Sequence, residues 1–590
     1  MVIAKEILTD YKEIYEKAVQ LVNEESKNDP TTDPYKSHYA ARDLLLEMKE
    51  MLKNSLVSVL AEEADDGTDD FIYQVIQAIV CRDLGRIYLF TEESSLGEIS
   101  LKECIELVKE KKFQPEAIIA YMGAVNELGI AYANKMEYKQ SLELLIEAEA
   151  CYQSFNKSEN KAMIITDIFG TPEEIENDDK GTKEFENLYT LSCFYLAQVY
   201  GHLGELEKSA QYCHKTLKRQ YSAQSYEPID FALNSATLSQ YFIGQNMFKE
   251  ARHHLAASTL IMAEYENKIS HTDNTISEQE YQDLQETFKH RYADVARCWS
   301  KYGLALLAAS KERLFNDDDE KLITDTKNLR IDSNRYCFPT NMPLENYESR
   351  ISCDYCLTFD DAKEVYHFVI KWLDHAKEYY KPDTEASEYA KIIKDFAELY
   401  ENMAFFEEDP INQSKMQKRR AKYYEELLEL LNPSFYLSIC RECWYGAGLA
   451  YCAILDIKLD CFKSTVSPNP QELHKINQVC QQAIKHFENF IQSYTEKDGT
   501  IKANIDVDEQ KTWLYAHFHL GRLHYKMITP DQKVQLENLS NSLKYYKTFT
   551  NECVKLAEAS KSLQAEIGVC REMVNLLPIK MTNVRKRLEK

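Results

Sequence analysis

The clearest structural pattern in this chain runs from Phe185 to Gln220, FENLYTLSCFYLAQVYGHLGELEKSAQYCHKTLKRQ. Its apolar and small residues recur at intervals of three and four, which indicates two amphipathic helices. Gly204 lies between these helices and supplies the turn. The positions that would pack in the seam are Leu196, Ala197, Tyr200, Ser209, Cys213 and Thr216. We therefore predict a helical hairpin in which small residues let the two helices approach closely.

This order of residues is typical of a tetratricopeptide (TPR) hairpin, which cannot bury its apolar face alone and needs neighbouring repeats. The same order recurs in 124–152 and in 238–258, and a fourth helix pair is predicted between Arg291 and Leu314. Later matches begin at Trp444 and at Leu520. The spacing between matches is irregular. We therefore predict an all-α fold, a divergent TPR-like α-solenoid, that is, a right-handed superhelix of antiparallel helix pairs.

Three stretches interrupt the helical pattern. The segment AEEADDGTDD (61–70) is an acidic linker, and the polar segment 153–186 is predicted to be a long loop. Residues 315–358 break the repeat period, so a boundary is placed there. The predicted organisation is an N-terminal TPR-like subdomain (1–314), an irregular linker or loop (315–358) and a C-terminal TPR-like subdomain (359–590).

The charge of the chain argues against nucleic-acid binding. Among 590 residues there are 70 Lys and Arg but 96 Asp and Glu, a formal net charge of −26 that repels phosphates and favours a basic partner surface. No run of 18 apolar residues predicts a membrane span, and the charged N-terminal segment predicts a helix rather than a signal peptide. Sixteen cysteines without secretory context indicate reduced thiols, so we expect a cytoplasmic protein.

The sequence carries no recognisable catalytic or cofactor motif. Neither a phosphate-binding glycine loop nor a metalloprotease or nucleophile-elbow motif occurs. Two C-x2-C pairs, Cys353/Cys356 and Cys440/Cys443, are more than 80 residues apart, whereas the pairs of a zinc site are usually much closer in sequence. We interpret them as core or incidental thiols, with a metal site as the alternative. The expectation is a protein without enzymatic activity, metal or cofactor.

Two basic stretches stand out against the acidic composition. They are KMQKRR (415–420) and the C-terminal IKMTNVRKRLEK (579–590). We interpret both as solvated helix faces, with contact to a lipid or a partner as the alternative.

The first helix of each hairpin lines the concave face of a TPR-like array, and its non-packing residues can contact a partner. Tyr195 and Gln198 are three residues apart and share a helix face. Thr237 has the place in the next hairpin that Tyr195 has here, and Gln220 ends the second helix at the edge between repeats. These residues predict an uncharged, hydrogen-bonding patch with tyrosine as its anchor. The alternative is that Tyr195 makes an ordinary helix contact.

Several segments, which follow one another along nearly the whole chain, are more specific than a general TPR pattern. They are PYKSHYAARDLLLEMK (34–49), YLAQVYGHLGELEKSAQYCHKTLKRQ (195–220), ARCWSKYGLAL (296–306), LNPSFYL (431–437), ENLSNSLKYYK (537–547) and MVNLLPIKM (573–581). Together they resemble the KIF-binding protein (kinesin-binding protein) family. The stretches 153–186 and 315–358 show little match.

This resemblance implies a function and a set of contact residues. The family's α-solenoid clasps the motor domain of a subset of kinesins on the microtubule-binding side, which blocks microtubule attachment. The implied roles are in kinesin-driven transport, microtubule organisation, axon growth and mitosis, in the cytoplasm and at the cytoskeleton. The motor-contacting positions that carry over from the family are Tyr195, Gln198, Gln220, Thr237, Leu431 and Asn432.

Two other functions fit the sequence less well. A TPR co-chaperone or adaptor that grips peptide tails needs a basic carboxylate clamp in its groove, and the uncharged Tyr195, Gln198 and Thr237 disfavour this. An enzyme needs a buried polar triad or a metal cluster, for which the sequence offers no motif.

Overall fold

The computed structural model describes residues 5–61, 68–158, 160–169, 179–271, 277–316, 335–464, 470–495 and 505–588. Over these residues the chain is all-α and has no β-strand, and most helices pack against the next long helix along the chain as antiparallel pairs. The predicted TPR-like α-solenoid is thereby confirmed. The chain forms two compact units, Met1–Glu227 and Pro228–Lys590.

In the first unit, the described residues form nine α-helices. They are α1 (Lys5–Asn23), α2 (Lys36–Ala61), α3 (Thr68–Phe90), α4 (Ser94–Val108), α5 (Ile118–Asn134), α6 (Tyr138–Phe155), α7 (Ile165–Phe169), α8 (Lys180–His202) and α9 (Leu206–Ala223). One apolar core runs through this unit from α1 to α8. Most of the acidic segment 61–70 lies outside the described residues.

The hairpin predicted from 185–220 is formed by α8 and α9. Leu196, on α8, is fully buried, and the Ser209 hydroxyl on α9 donates a hydrogen bond to the Ala197 carbonyl at 2.7 Å. Gly204 has a left-handed φ of +79° in the turn, a conformation that favours glycine. The small residues of the pattern therefore do what the sequence predicts, because they bring the two backbones together.

The stretch 153–186 is not the single long loop that its polar sequence predicts. Helix α7 lies within it, and α8 begins at Lys180. Phe185 and Tyr189, four residues apart, are buried on α8 and extend its apolar face toward the N-terminus. Gly181 packs so closely against Ala162 that an added Cβ would lie 2.0 Å from the Ala162 carbonyl oxygen. Packing of these residues overrides the loop-like composition around them.

A polar cluster joins three helices of the first unit. The Glu149 carboxylate on α6 accepts hydrogen bonds from Tyr189 on α8 at 2.8 Å, from Tyr212 on α9 at 2.5 Å and from Lys215 on α9 at 2.8 Å. Burial acts to raise the pKa of Glu149, but the hydrogen bonds from Lys215 and Tyr212 outweigh it and hold that pKa below its ordinary value. The ionised carboxylate thus fixes α8 and α9 against α6.

Arg219 makes a second link between the same helices. Its guanidinium donates to the Glu186 carboxylate at 2.5 Å and to the Thr190 hydroxyl at 3.0 Å, both on α8. It also lies over the rings of Tyr189 and Tyr152, which stack with their centroids 3.6 Å apart. These contacts fix the position of the C-terminal end of α9 along α8.

In the second unit, the described residues form thirteen α-helices. They are α10 (Pro228–Gly244), α11 (Phe248–His271), α12 (Glu278–Asn316), α13 (Glu345–Glu348), α14 (Phe359–Tyr379), α15 (Ala386–Phe406), α16 (Pro410–Leu430), α17 (Leu437–Ser464), α18 (Pro470–Gln492), α19 (Val507–Lys526), α20 (Gln532–Lys555), α21 (Ala557–Ser560) and α22 (Gln564–Leu588). The predicted boundary segment, 315–358, falls inside this unit.

The helix pair predicted between Arg291 and Leu314 is instead one long helix, α12. No proline interrupts it, so its apolar stripe continues through Trp299 without a turn. Its antiparallel partner is α14, which follows only after residue 358. The two helices meet where a Cβ at Gly303 would lie 2.2 Å from the Val369 side chain. The hairpin partner is therefore distant in sequence, which a search for adjacent pairs misses.

Residues 335–358 pack on α11 and α12. The Phe338 backbone N–H donates to His253 Nε2 at 3.0 Å, and the other ring nitrogen of His253 hydrogen-bonds the Glu348 carboxylate at 2.6 Å. The Tyr302 hydroxyl on α12 donates to the Ser352 carbonyl at 2.8 Å. The described part of the predicted linker is therefore held by specific hydrogen bonds.

Close packing at glycine also governs the later helix pairs. A Cβ at Gly448 on α17 would lie 2.8 Å from the ring of Phe487 on α18, and a Cβ at Gly521 on α19 would lie 2.7 Å from the ring of Tyr546 on α20. Both glycines occupy the small-residue position of the predicted repeat. The repeat pattern thus marks the points of closest helix approach.

We expect Gly521→Ala to destabilise the protein, because its methyl group would overlap the buried Tyr546 ring. Overpacking of this kind costs about 1–3 kcal/mol. The matched control is Gly568→Ala on α22, where an added Cβ meets nothing within 4 Å and alanine favours the helix. Thermal unfolding should show a lower midpoint for the first variant and an unchanged or higher one for the second. Equal midpoints would contradict the close approach at Gly521.

We expect Glu149→Gln to lower stability by about 1–2 kcal/mol at pH 7, because it removes charge-assisted hydrogen bonds. The folded-state pKa of Glu149 is depressed, so its contribution is present above the ordinary value of 4.5 and is lost as pH falls through the lower folded value. The gap in thermal midpoint between wild type and variant should therefore shrink below about pH 4.5. The control is Glu143→Gln, at an exposed position on the same helix. It should leave the thermal midpoint unchanged both at pH 7 and at the lower pH.

Candidate functional site

Tyr195 and Gln198 lie on α8, as predicted, and differ in exposure. Gln198 is exposed, whereas Tyr195 is half-buried with its ring edge-on to Phe194 at a centroid distance of 5.3 Å. Among the described residues the Tyr195 hydroxyl has no hydrogen-bond partner. Burial raises the pKa of Tyr195, and the nearby Glu127 carboxylate raises it further. The phenol is therefore neutral at physiological pH and can donate a hydrogen bond to a partner.

A charged pair that the sequence pattern does not reveal lies near Tyr195. Glu127 on α5 forms an ion pair with Arg86 on α3 at 3.3 Å. Burial raises the pKa of Glu127, and Arg86 opposes that effect. The residues come from separate repeats, so only the packing of α3, α5 and α8 brings them together. The surroundings of the predicted uncharged patch are therefore partly ionic.

Gln220 lies on α9 and is half-buried. Its carbonyl accepts the Ser225 backbone N–H at 3.1 Å, which closes the last turn of the helix. The neighbouring Arg219 contacts Glu186 and Thr190, so this end of α9 is level with a part of α8 at least five residues before Tyr195. Five helical residues span roughly 8 Å. Tyr195 and Gln220 thus lie on one helix pair but at different heights.

Thr237 lies on α10, in the second unit, and is exposed. Its neighbours face the protein interior: Leu238 is buried, and the buried Ser235 hydroxyl donates to the His254 carbonyl at 2.8 Å. The arrangement leaves the Thr237 hydroxyl accessible on a firmly packed helix.

Leu431 and Asn432 form the turn between α16 and α17. Leu431 is only 6% exposed, and its N–H donates to the Leu427 carbonyl at 2.9 Å. Asn432 is exposed, and its side-chain oxygen accepts the Ser434 N–H at 2.9 Å. Leu431 therefore anchors the turn, whereas Asn432 is presented to solvent.

The same turn exposes an aromatic residue that the sequence analysis did not single out. Phe435 is 81% exposed, three residues after Asn432. A large apolar side chain after a proline, between two helices, is the signal that could have identified it. Aromatic side chains are frequent anchors of protein interfaces. Phe435 thus joins the candidate site.

The cysteine pairs lie largely in the protein interior. Cys356, Cys440 and Cys443 are buried, and burial raises the pKa of Cys356 to about 11 and that of Cys443 to about 12. Within the described ranges, no group of three or more His, Cys, Asp or Glu side chains is arranged to hold a metal ion. In those same ranges, no helix is long and apolar enough to cross a membrane.

Comparisons with known proteins cover the whole chain. A family model described as KIF-1 binding protein C terminal matches residues 229–584. The KIF-binding protein of Drosophila melanogaster is 55% identical, over 100% of this chain and 99% of that protein. Those of Gallus gallus and Homo sapiens are 34% and 31% identical and align with 96% and 98% of this chain, and with 95% and 98% of their own lengths.

A solved structure also resembles this one. The structure from a cryo-EM map of KIFBP superposes with a TM-score of 0.65 at 27% identity, covering 98% of this chain and 99% of that chain. The family match, the full-length identities and the shared fold agree with one another. The chain belongs to the KIF-binding protein family.

Proposed function

We propose that this protein binds the motor domains of a subset of kinesins and blocks their attachment to microtubules. The observation that carries the proposal is the full-length similarity to proteins named for KIF binding, reaching 55% identity. All six contact positions implied by the family are also present, and Gln198, Thr237 and Asn432 among them are exposed.

Electrostatics supports the choice of surface on the motor. Tubulin is acidic, so the microtubule-binding face of a kinesin motor is basic. A chain of net charge −26 attracts such a face over long range, which raises the rate of encounter. Inhibition then follows from occlusion, since one motor surface cannot contact two partners at once.

Short-range recognition is assigned to the uncharged residues. Tyr195 offers a neutral phenol on the ordered α8, while Gln198 and Gln220 provide amide donors and acceptors. Because α8 and α9 are fixed by the Glu149 and Arg219 contacts, these groups need little ordering on binding. We propose that residues of both units contact the motor.

The proposed cellular role follows from this activity. A protein that removes kinesins from microtubules would act in the cytoplasm, at the cytoskeleton. It would regulate kinesin-driven transport and microtubule organisation, including axon growth and mitosis.

The proposal is tested by microtubule co-sedimentation of a kinesin-3-type motor domain. Wild-type protein should move the motor from the pellet to the supernatant, and Tyr195→Ala/Gln220→Ala should fail to do so. Loss of one anchor side chain costs about 2 kcal/mol, or roughly 30-fold in affinity. Tyr195→Phe separates the loss of the hydroxyl from the loss of the ring.

The matched control is Gln211→Ala, a glutamine on the same helix as Gln220 but outside the candidate site. It should release the motor as well as wild type does. If wild-type protein leaves every member of a panel of motor domains on the microtubules, the proposed function is wrong. If the double variant releases the motor normally, the assignment of the contact residues is wrong.

We expect Phe435→Ala to weaken motor binding about tenfold without changing thermal stability, because the side chain is exposed. Leu431→Ala should lower the thermal midpoint, because that side chain is buried. The matched control is Phe315→Ala, which removes a phenylalanine that is 80% exposed at the end of α12. Equal affinities for Phe435→Ala and Phe315→Ala would remove Phe435 from the candidate site.

A further inference from the structure

A large groove lies within the second unit, at one end of α16, α17 and α18. Its cavity volume is about 1040 Å³. The first turns of α16 and α18 and the last turns of α17 form its walls, because these three antiparallel helices bring those ends together. None of the six predicted motor-contacting residues lines it.

The floor of this groove is apolar. Ile454 and Ile457 are three residues apart on α17, and Ile476 and Val479 are three apart on α18. Ile457 and Val479 are half-buried, whereas Ile454 and Ile476 are each 3% exposed, so Ile457 and Val479 form the outer part of a short ridge on each helix. Ile411, at the edge on α16, is 65% exposed. Parallel ridges with a channel between them are the surface against which another helix packs.

The rim of the groove is basic. Lys415 and Lys418 on α16, Lys458 on α17 and Lys475 on α18 line it, and Glu472 is the one carboxylate among its lining residues. Within the described part of the chain, none of the four lysines forms an ion pair with a carboxylate. By contrast, Lys422, which lies on α16 outside the groove, forms an ion pair with Glu426 at 3.3 Å.

This charge is opposite in sign to that of the whole chain, which carries −26. Four lysines without an ion pair around an apolar floor are complementary to a partner with carboxylates on both sides of an apolar stripe. A basic motor face, as in the proposed function, would be repelled by these lysines. The groove therefore suits a partner surface different from the one in the proposed function.

We propose that this lysine-rimmed groove binds an acidic amphipathic α-helix of a partner protein. The helix would place its apolar stripe on the floor formed by Ile454, Ile457, Ile476 and Val479. Its Glu or Asp side chains would lie beside the lysines. A helix about 10 Å across and rising 1.5 Å per residue would fill the cavity with about nine residues, or two and a half turns. The basic stretch at 415–420 thus becomes part of a docking site, since two of its lysines line the cavity.

The concave shape favours a helix over a lipid bilayer. Peripheral proteins meet a bilayer with a protruding amphipathic face, whereas here the apolar side chains lie at the bottom of a channel. A helix can enter that channel and leave its own polar face in water.

The test uses the full-length chain and a synthetic, fluorescein-labelled amphipathic peptide. The peptide carries Leu or Ile at helical spacing, with glutamates on both flanks. We expect saturable binding by fluorescence anisotropy that weakens as salt is raised. Lys418→Glu/Lys458→Glu should weaken binding at least about tenfold, because attraction becomes repulsion at two points. Lys422→Glu, on α16 but outside the groove, is the matched control and should bind like wild type.

A second readout locates the peptide. Cys461 lines the groove and is the one exposed cysteine of the sixteen, so a dye attached there should change its emission when the peptide binds. Thermal unfolding checks that each variant is folded. A version of the peptide with glutamine in place of every glutamate should bind at least about tenfold more weakly.

Three outcomes would overturn the proposal. They are absence of saturable peptide binding, equal binding of the glutamine peptide, and equal affinity of the lysine variant. Vesicles of phosphatidylcholine with phosphatidylserine form a further arm. If the vesicles bind with the same lysine dependence and the peptide does not, the groove is a lipid site and the helix proposal is wrong.

Discussion

Close approach between neighbouring helices is the constraint on which this all-helical chain depends. No helix pair here can bury its apolar face alone, so stability comes from the packing of each pair against its neighbours. Glycine permits the closest contacts, with Val369 packed on Gly303, Phe487 on Gly448 and Tyr546 on Gly521. Where serine takes this role, as at Ser209, its hydroxyl also satisfies a backbone carbonyl of the neighbouring helix.

The sequence revealed what depends on local spacing. The α8–α9 hairpin and the all-helical fold follow from intervals of three and four residues and from Gly204. The structure also places Gln198 in solvent beside the buried Leu196 and Ala197, as their spacing predicts. For Tyr195 and Gln220, both half-buried, spacing alone could not predict the degree of exposure, which depends on neighbouring helices.

What the sequence could not reveal depends on contacts between distant residues. Helices α12 and α14 are separated in sequence by the irregular stretch that ends at residue 358, so no pattern of adjacent repeats indicates that they pair. The start of α8 at Lys180 depends on the burial of Phe185 by packing. The polar residues before Phe185 give no indication of that burial. The same holds for Leu431, whose burial is set by packing around the end of α16 and not by its loop-like sequence.

The α12–α14 pairing has a consequence for the newly synthesised chain. Val369 follows Gly303 by 66 residues, so the face of α12 that receives it emerges from the ribosome well before its partner. At a synthesis rate of about 5–20 residues per second, that face waits roughly 3–13 seconds. During this interval the nascent chain exposes an apolar helix surface that it cannot cover with α14. In this window the face of α12 is available to a chaperone acting on the nascent chain.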